Sequence, residues 1–76
     1  MEGLNIIRDK AEYIIALVNE FAQAHHLNDR QAYRYMERFH AIDFIDRHYN
    51  IAHTQSFEDI VQDITLYCQK QGGGIL

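Results

Sequence analysis

The segment IRDKAEYIIALVNEFA, residues 7–22, carries the clearest helical pattern in this chain of 76 residues. Its apolar side chains recur at intervals of three and four residues, at Ile7, Ala11, Ile14, Val18 and Phe21. This spacing places them on one face of an α-helix. Further apolar residues widen that face on both sides, so we expect this helix to lie centrally and to contact more than one neighbour.

The rest of the chain continues the helical pattern. Proline is absent and Gly3 is the only glycine before Gly72, so no strong breaker interrupts the middle of the chain. Asn28 and Ser56 stand where N-caps are expected, each with a possible capping-box partner three residues later. The predicted fold is therefore all-α, a small bundle of three to four helices at about residues 5–25, 29–40, 42–49 and 57–71.

The pattern also predicts the domain organisation. A single helical domain is expected over residues 1–71, and a flexible glycine-rich tail over residues 72–76. Gly72 suits the left-handed conformation that commonly ends a helix. A chain this short hides only roughly 60 to 65% of the surface that its unfolded form exposes, which leaves room for one small core.

The composition of the chain excludes several classes of protein and partner. Eleven acidic and seven basic residues give a net charge of −4, which makes nucleic acid an unlikely partner because phosphate groups repel an acidic chain. No apolar run approaches the roughly 20 residues that span a bilayer, and the N-terminus lacks the basic segment of a signal peptide. The single cysteine, Cys68, forms no internal disulfide. We therefore expect a soluble cytoplasmic protein without a membrane partner.

A polar connection, Tyr49–Ser56, interrupts the helical pattern before the last helix. His53, Thr54 and Gln55 supply hydrogen-bond donors and acceptors that could contact a ligand or a partner. Short polar residues in connections more commonly bond nearby backbone groups. Chemistry alone therefore favours a structural use for these three residues over ligand contact.

Neither a metal site nor a catalytic site is predicted. The five histidines include the near pairs His25 with His26 and His48 with His53, but no two of them have the three- or four-residue spacing typical of zinc ligands on a helix. Cys68 falls on the apolar stripe of the last helix, and no motif places a nucleophile beside a base. We expect a protein that is not an enzyme and uses no cofactor.

Two surface features remain as candidates for binding. Arg30, Arg34 and Arg38 recur every four residues on one side of the second helix, where a solvated face with local ion pairs is the commoner interpretation and an anionic ligand the alternative. Leu66 lies opposite the apolar stripe of the last helix, between Thr65 and Tyr67. An apolar residue at that position hints at a second contact surface.

The order of these elements resembles a known family. The first amphipathic helix is followed by a second ending near Phe39, and then by the specific parts of the resemblance: Tyr49, the pair His53-Thr54, and the pairs Asp63-Ile64 and Leu66-Tyr67. Over about residues 8 to 70 the chain resembles a bacterial family of small domains of unknown function, three-seven-nine-one in that naming series. The resemblance implies no catalytic residue. It does imply a gene that often neighbours a predicted ADP-ribosyltransferase-like protein, a pairing similar to toxin and antitoxin arrangements.

The preferred functional interpretation is a non-enzymatic protein-interaction module that uses His53, Thr54, Gln55 and Leu66. Its partner is expected to be the product of a neighbouring gene, for which it would act as an antitoxin, or a second copy of the chain. The alternative is a small-molecule or nucleic-acid binder that uses the arginine face of the second helix.

Overall fold

In a computed structural model, the backbone is described for residues 2–74 and the side chains for residues 7–74. Five α-helices follow one another in this part of the chain, which contains no strand. They are Glu2–Ala24 (α1), Asp29–Arg38 (α2), Ala41–Arg47 (α3), Tyr49–Ala52 (α4) and Phe57–Lys70 (α5). The predicted all-α bundle is confirmed.

The longest helix, α1, lies at the centre and packs against α2, α3 and α5. Leu17 and Phe21 of α1 are fully buried and share one apolar core with Met36 of α2, Ile45 of α3 and Ile64 of α5. Among the described side chains, no polar or charged residue is buried. The core formed by the described side chains is therefore purely apolar, and their polar and charged groups lie at the surface of the molecule.

The N-terminal half of α1 departs from the predicted buried face. Ile7 is 67% exposed and Ala11 is also exposed, and fully buried positions begin only at Leu17. A helix of 23 residues extends about 34 Å, whereas the molecule measures 41 × 22 × 21 Å. Neighbouring helices contact α1 from Lys10 onward, where Lys10 pairs with Asp46 of α3, but they leave the side that carries Ile7, Ala11 and Ile15 exposed. Periodicity identified the face, but it does not say how much of that face neighbours cover.

Polar caps begin α2 and α5 as predicted. Gln31 donates its backbone N–H to Asn28 Oδ1 at 2.8 Å, and the Asn28 backbone N–H donates to Gln31 Oε1 at 3.0 Å, which completes a capping box. Ser56 Oγ accepts the backbone N–H of Asp59 at 3.1 Å. These bonds satisfy N–H groups that the first turn of a helix leaves without a partner.

Helix ends are formed by residues in the left-handed conformation. Gly72 ends α5 with φ of 98°, and the bonds from Gly72 N to Gln69 O and from Gly73 N to Cys68 O make a Schellman motif. His26 and His40 take the same conformation after α1 and α2, with φ of 58° and 66°. Two of the five histidines therefore stand where glycine is more usual.

The predicted third helix, residues 42–49, is divided in two. Helix α3 ends at Arg47, His48 is a turn residue, and Tyr49–Ala52 forms the short helix α4. The first half of the predicted polar connection is therefore helical. Only residues 53–56 join α4 to α5.

The segment Gly72–Gly74 lies against the bundle, since Tyr35 Oη donates a hydrogen bond to Gly74 O at 3.0 Å. Residues 75 and 76 of the predicted flexible tail lie outside the described residues. Within the described part of the chain, no helix has both the length and the apolar character needed to cross a membrane.

Candidate functional site

A groove of about 750 Å³ runs between the C-terminal part of α1 and the exposed side of α5. The two helices run in the same direction, because Tyr13 stacks on Phe57 near the start of α5 and His25 bonds Thr65 two turns later. Residues of α5 enter the groove at helical spacing, from Phe57 to Gln69. We call this surface the α1–α5 groove.

The lining of the α1–α5 groove combines apolar side chains with acidic and amide groups. The apolar members include Leu66, which is 52% exposed, and Phe57, which is 37% exposed. The polar members are Glu20, Gln23, His25, Glu58, Gln62, Thr65 and Gln69. The lining contains two carboxylates and neither lysine nor arginine, so it favours an apolar ligand that carries positive charge at its edges.

A short chain of hydrogen bonds joins the two helices at the groove. The Thr65 hydroxyl donates to Val61 O at 2.8 Å, and His25 Nε2 lies 2.8 Å from Thr65 Oγ1. Because the hydroxyl has a single hydrogen, which Val61 O accepts, the histidine nitrogen is the donor in this pair. The His25 ring also packs on Phe21, with ring centroids 4.5 Å apart. Burial lowers the pKa of His25, and the neighbouring His26 lowers it further.

Stability is expected to fall as the pH is lowered below 6.5, the ordinary pKa of His25. In that range the unfolded chain takes up a proton that the folded chain resists, so protonation favours unfolding. Above that value both states hold a neutral ring, and His25 contributes no pH dependence. Urea unfolding at pH values from about 5 to about 8 measures the effect.

The variant His25→Gln isolates this contribution from other titrating groups. Its free energy of unfolding should vary less steeply with pH than that of the unmodified protein over the range below 6.5. If the free energy of unfolding varied equally with pH in the two proteins, His25 would not resist protonation in the folded state.

The predicted binding residues of the connection are exposed, but they do not line the α1–α5 groove. His53 stacks on the Tyr49 ring with centroids 4.8 Å apart, and Thr54 Oγ1 donates to Ile51 O at 2.7 Å. Gln55 is exposed, with its backbone N–H bonded to Ala52 O. Thr54 thus has the local structural use that the sequence favoured.

Leu66 lies in the α1–α5 groove, on the outer side of α5, where the sequence placed it. The groove reaches the connection only through Phe57 and Glu58, the first residues of α5. The structure therefore separates the predicted site into two neighbouring parts, with Leu66 in the groove and His53, Thr54 and Gln55 beyond its end.

Sequence reasoning missed most of the groove. Phe57, Glu20, Glu58 and Gln62 were assigned no binding role, and His25 was considered only as a metal ligand. Part of the signal was present in α5, where residues 58, 62, 66 and 69 follow one side of the helix. The contribution of α1 depends on how the two helices pack, which periodicity alone does not give.

Arg30, Arg34 and Arg38, the predicted anionic-ligand face, are all exposed on α2. Arg38 lies over the Phe39 ring, 5.4 Å from its centroid. None of the three lines the α1–α5 groove. Binding of an anionic ligand to this face stays a prediction.

The histidines and the cysteine were also weighed as metal ligands or reactive groups. Among the described side chains, no group of three or more His, Cys, Asp or Glu residues is positioned to hold a metal ion. Cys68 is buried in the core, and burial raises the pKa of its thiol to about 11. Because a thiolate is the reactive form of cysteine, the Cys68 thiol is unreactive in the folded protein.

A comparison with protein families gives one match. The family model described as a protein of unknown function (DUF3791) matches residues 12–71, which include the α1–α5 groove and most of the chain. No curated protein and no solved structure matches the chain. The resemblance inferred from the sequence is confirmed, and the family description assigns no activity or site residue.

Proposed function

We propose that this chain, which belongs to the DUF3791 family of proteins of unknown function, is a non-enzymatic module that binds a segment of another protein in the α1–α5 groove. The observation that supports this function best is the exposure of Leu66 on the outer side of α5, in a groove that Phe57 and the carboxylates Glu20 and Glu58 also line. His53, Thr54 and Gln55 extend the contact beyond the end of the groove.

Apolar burial supplies the affinity in this proposal. A fully buried leucine or phenylalanine side chain contributes about 1.5 to 3 kcal/mol relative to an exposed one. About half of the Leu66 surface is still exposed in the free chain, so a partner that covers it gains about half of that amount. The partner segment would present an apolar side chain to Leu66, as an amphipathic helix does when it enters an apolar groove.

Charge narrows the class of partner. Glu20 and Glu58 line the groove, and the chain carries a net charge of −4. A partner with lysine or arginine beside its apolar anchor would associate faster and be selected over an acidic competitor. A toxin-like enzyme with a cationic nucleotide-binding cleft, as the family resemblance implies for a neighbouring gene, would have this character, and we propose an antitoxin-like role toward such an enzyme in a bacterial cytoplasm.

Binding to the purified product of the adjacent gene, measured by titration calorimetry, tests the proposal. Leu66→Gln removes the apolar contact without changing net charge and is expected to weaken binding about four- to twelvefold. Ile51→Gln is the matched control, because Ile51 is 66% exposed but does not line the groove. Equal affinities of the two variants would remove the groove from the interface.

Two further variants define the edges of the contact. Glu20→Gln combined with Glu58→Gln is expected to slow association and to reduce its dependence on salt. His53→Ala tests the connection separately. If His53→Ala binds with unchanged affinity while Leu66→Gln binds weakly, the interface is limited to the groove.

A further inference from the structure

A second apolar surface lies on the N-terminal half of α1, away from the groove. Ile7, Ala11 and Ile15 recur every four residues along one line of the helix, and Ile7 and Ile15 are 67% and 70% exposed. We call this line the Ile7–Ile15 stripe. It shares no residue with the α1–α5 groove.

The side of α1 that carries the exposed Ile7–Ile15 stripe becomes buried further along the helix. Val18 and Ala22 lie on the same side of α1 and belong to the core. At the N-terminal half of the helix this side is exposed. Exposed isoleucines that extend a buried face in this way are typical of a surface that another helix covers.

We propose that a second copy of the chain covers the Ile7–Ile15 stripe, with the two α1 helices antiparallel about a two-fold axis at Ala11. In this arrangement Ile7 of the first copy packs on Ile15 of the second. Ile15 of the first copy packs on Ile7 of the second, as the symmetry of an isologous interface requires. The small Ala11 side chains meet at the axis and let the helices approach closely.

Charges beside the stripe select this arrangement. Arg8 and Glu12 lie on the same flank of the stripe, one turn apart, and both are exposed. In an antiparallel pair related by a two-fold axis, the flank that carries Arg8 and Glu12 in one copy lies beside the same flank of the other copy. Arg8 of each copy therefore faces Glu12 of the other. A parallel pair would place this flank opposite the flank that carries Lys10, and Lys10 is already paired with Asp46 at 2.9 Å.

Analytical ultracentrifugation of the full chain tests the apolar part of the proposal. The unmodified protein is expected to be a dimer at high concentration, and Ile7→Glu and Ile15→Glu are expected to be monomers with unchanged circular dichroism. Ile51→Glu should remain a dimer, because Ile51 is 66% exposed but lies outside the stripe. A strictly monomeric unmodified protein at millimolar concentration would overturn the proposal.

Charge reversal tests the direction of the two helices. Arg8→Glu and Glu12→Arg each turn two attractive pairs into repulsive ones, so each variant alone should dimerise about tenfold more weakly. An equimolar mixture of the two variants should form a heterodimer, and the double variant with both changes should regain the original affinity. Failure of the mixture and of the double variant to associate would exclude the antiparallel pairing.

Discussion

Phe21→Ala is expected to lower the free energy of unfolding by about 3 to 5 kcal/mol, the usual cost of removing a buried phenylalanine. Phe21 is fully buried, stacks on Tyr35 of α2 and packs on His25 at the end of α1. Removing its ring leaves a cavity that the purely apolar core, to which all five helices contribute, fills only in part. A domain of 76 residues has a total stability of about 4 to 11 kcal/mol. The variant therefore loses between about a quarter and all of that stability.

Urea unfolding followed by circular dichroism measures this loss. Phe57→Ala is the matched control, because the Phe57 side chain is 37% exposed and its removal leaves no closed cavity. A loss in Phe21→Ala no larger than that in Phe57→Ala would contradict the central place of Phe21 in the core.

Tyr13→Ala is expected to lower the free energy of unfolding by about 2 to 3 kcal/mol, because the Tyr13 side chain connects α1 to both α4 and α5. Its hydroxyl donates to Ala52 O at 3.0 Å. Its ring meets Tyr49 edge-on, with centroids 5.5 Å apart, and stacks on Phe57 at 5.9 Å. Loss of these contacts frees both ends of residues 53–56, so the connection should open before the rest of the molecule.

Tyr13→Phe separates the ring from the hydroxyl group. It keeps both aromatic contacts and leaves the carbonyl of buried Ala52 without this donor, so a smaller cost of about 0.5 to 1.5 kcal/mol is expected. Tyr33→Phe, on the exposed side of α2, should change stability by less than about 0.5 kcal/mol. Hydrogen exchange should report faster opening at residues 49–56 in Tyr13→Ala. Uniform loss of protection across all helices would indicate that Tyr13 stabilises the whole bundle equally.

Local signals predicted the four longer helices and the starts of α2 and α5. Asn28 and Ser56 cap α2 and α5 through the backbone N–H groups that the sequence spacing indicated. Gly72 ends α5 in the left-handed conformation. Each of these features depends on residues within one turn of one another, which is why a single sequence reveals them.

The ends of α1 and α2 were predicted within one or two residues, but the left-handed histidines that form them were not. His26 and His40 carry no sequence signal comparable to that of glycine, since few residues other than glycine favour φ near 60°. A conformation of this kind in histidine is maintained by the surrounding packing. The division between α3 and α4 has the same origin in tertiary contacts, among them the bond from Tyr13 to Ala52 O.

The candidate site was predictable only in part. Leu66 was identified because an apolar residue on the outer side of an amphipathic helix is visible in the sequence. Its neighbours in the groove from α1, Glu20 and His25, are distant from it along the chain, and only the packing of α1 beside α5 brings them together. The exposure of Ile7 and Ile15 likewise depends on where the neighbouring helices stop, which a periodic pattern does not contain.

Because α1 is one continuous helix, its length fixes the distance between the two α1–α5 grooves of the proposed dimer. Ala11 and Gln23 are twelve residues apart on one continuous helix, or about 18 Å at the rise of an α-helix. In an antiparallel dimer centred at Ala11, the two grooves would therefore lie about 36 Å apart at opposite ends of a rigid rod. A partner that is itself dimeric, with sites at that distance, would bind bivalently and gain about a hundredfold or more in avidity without any new contact.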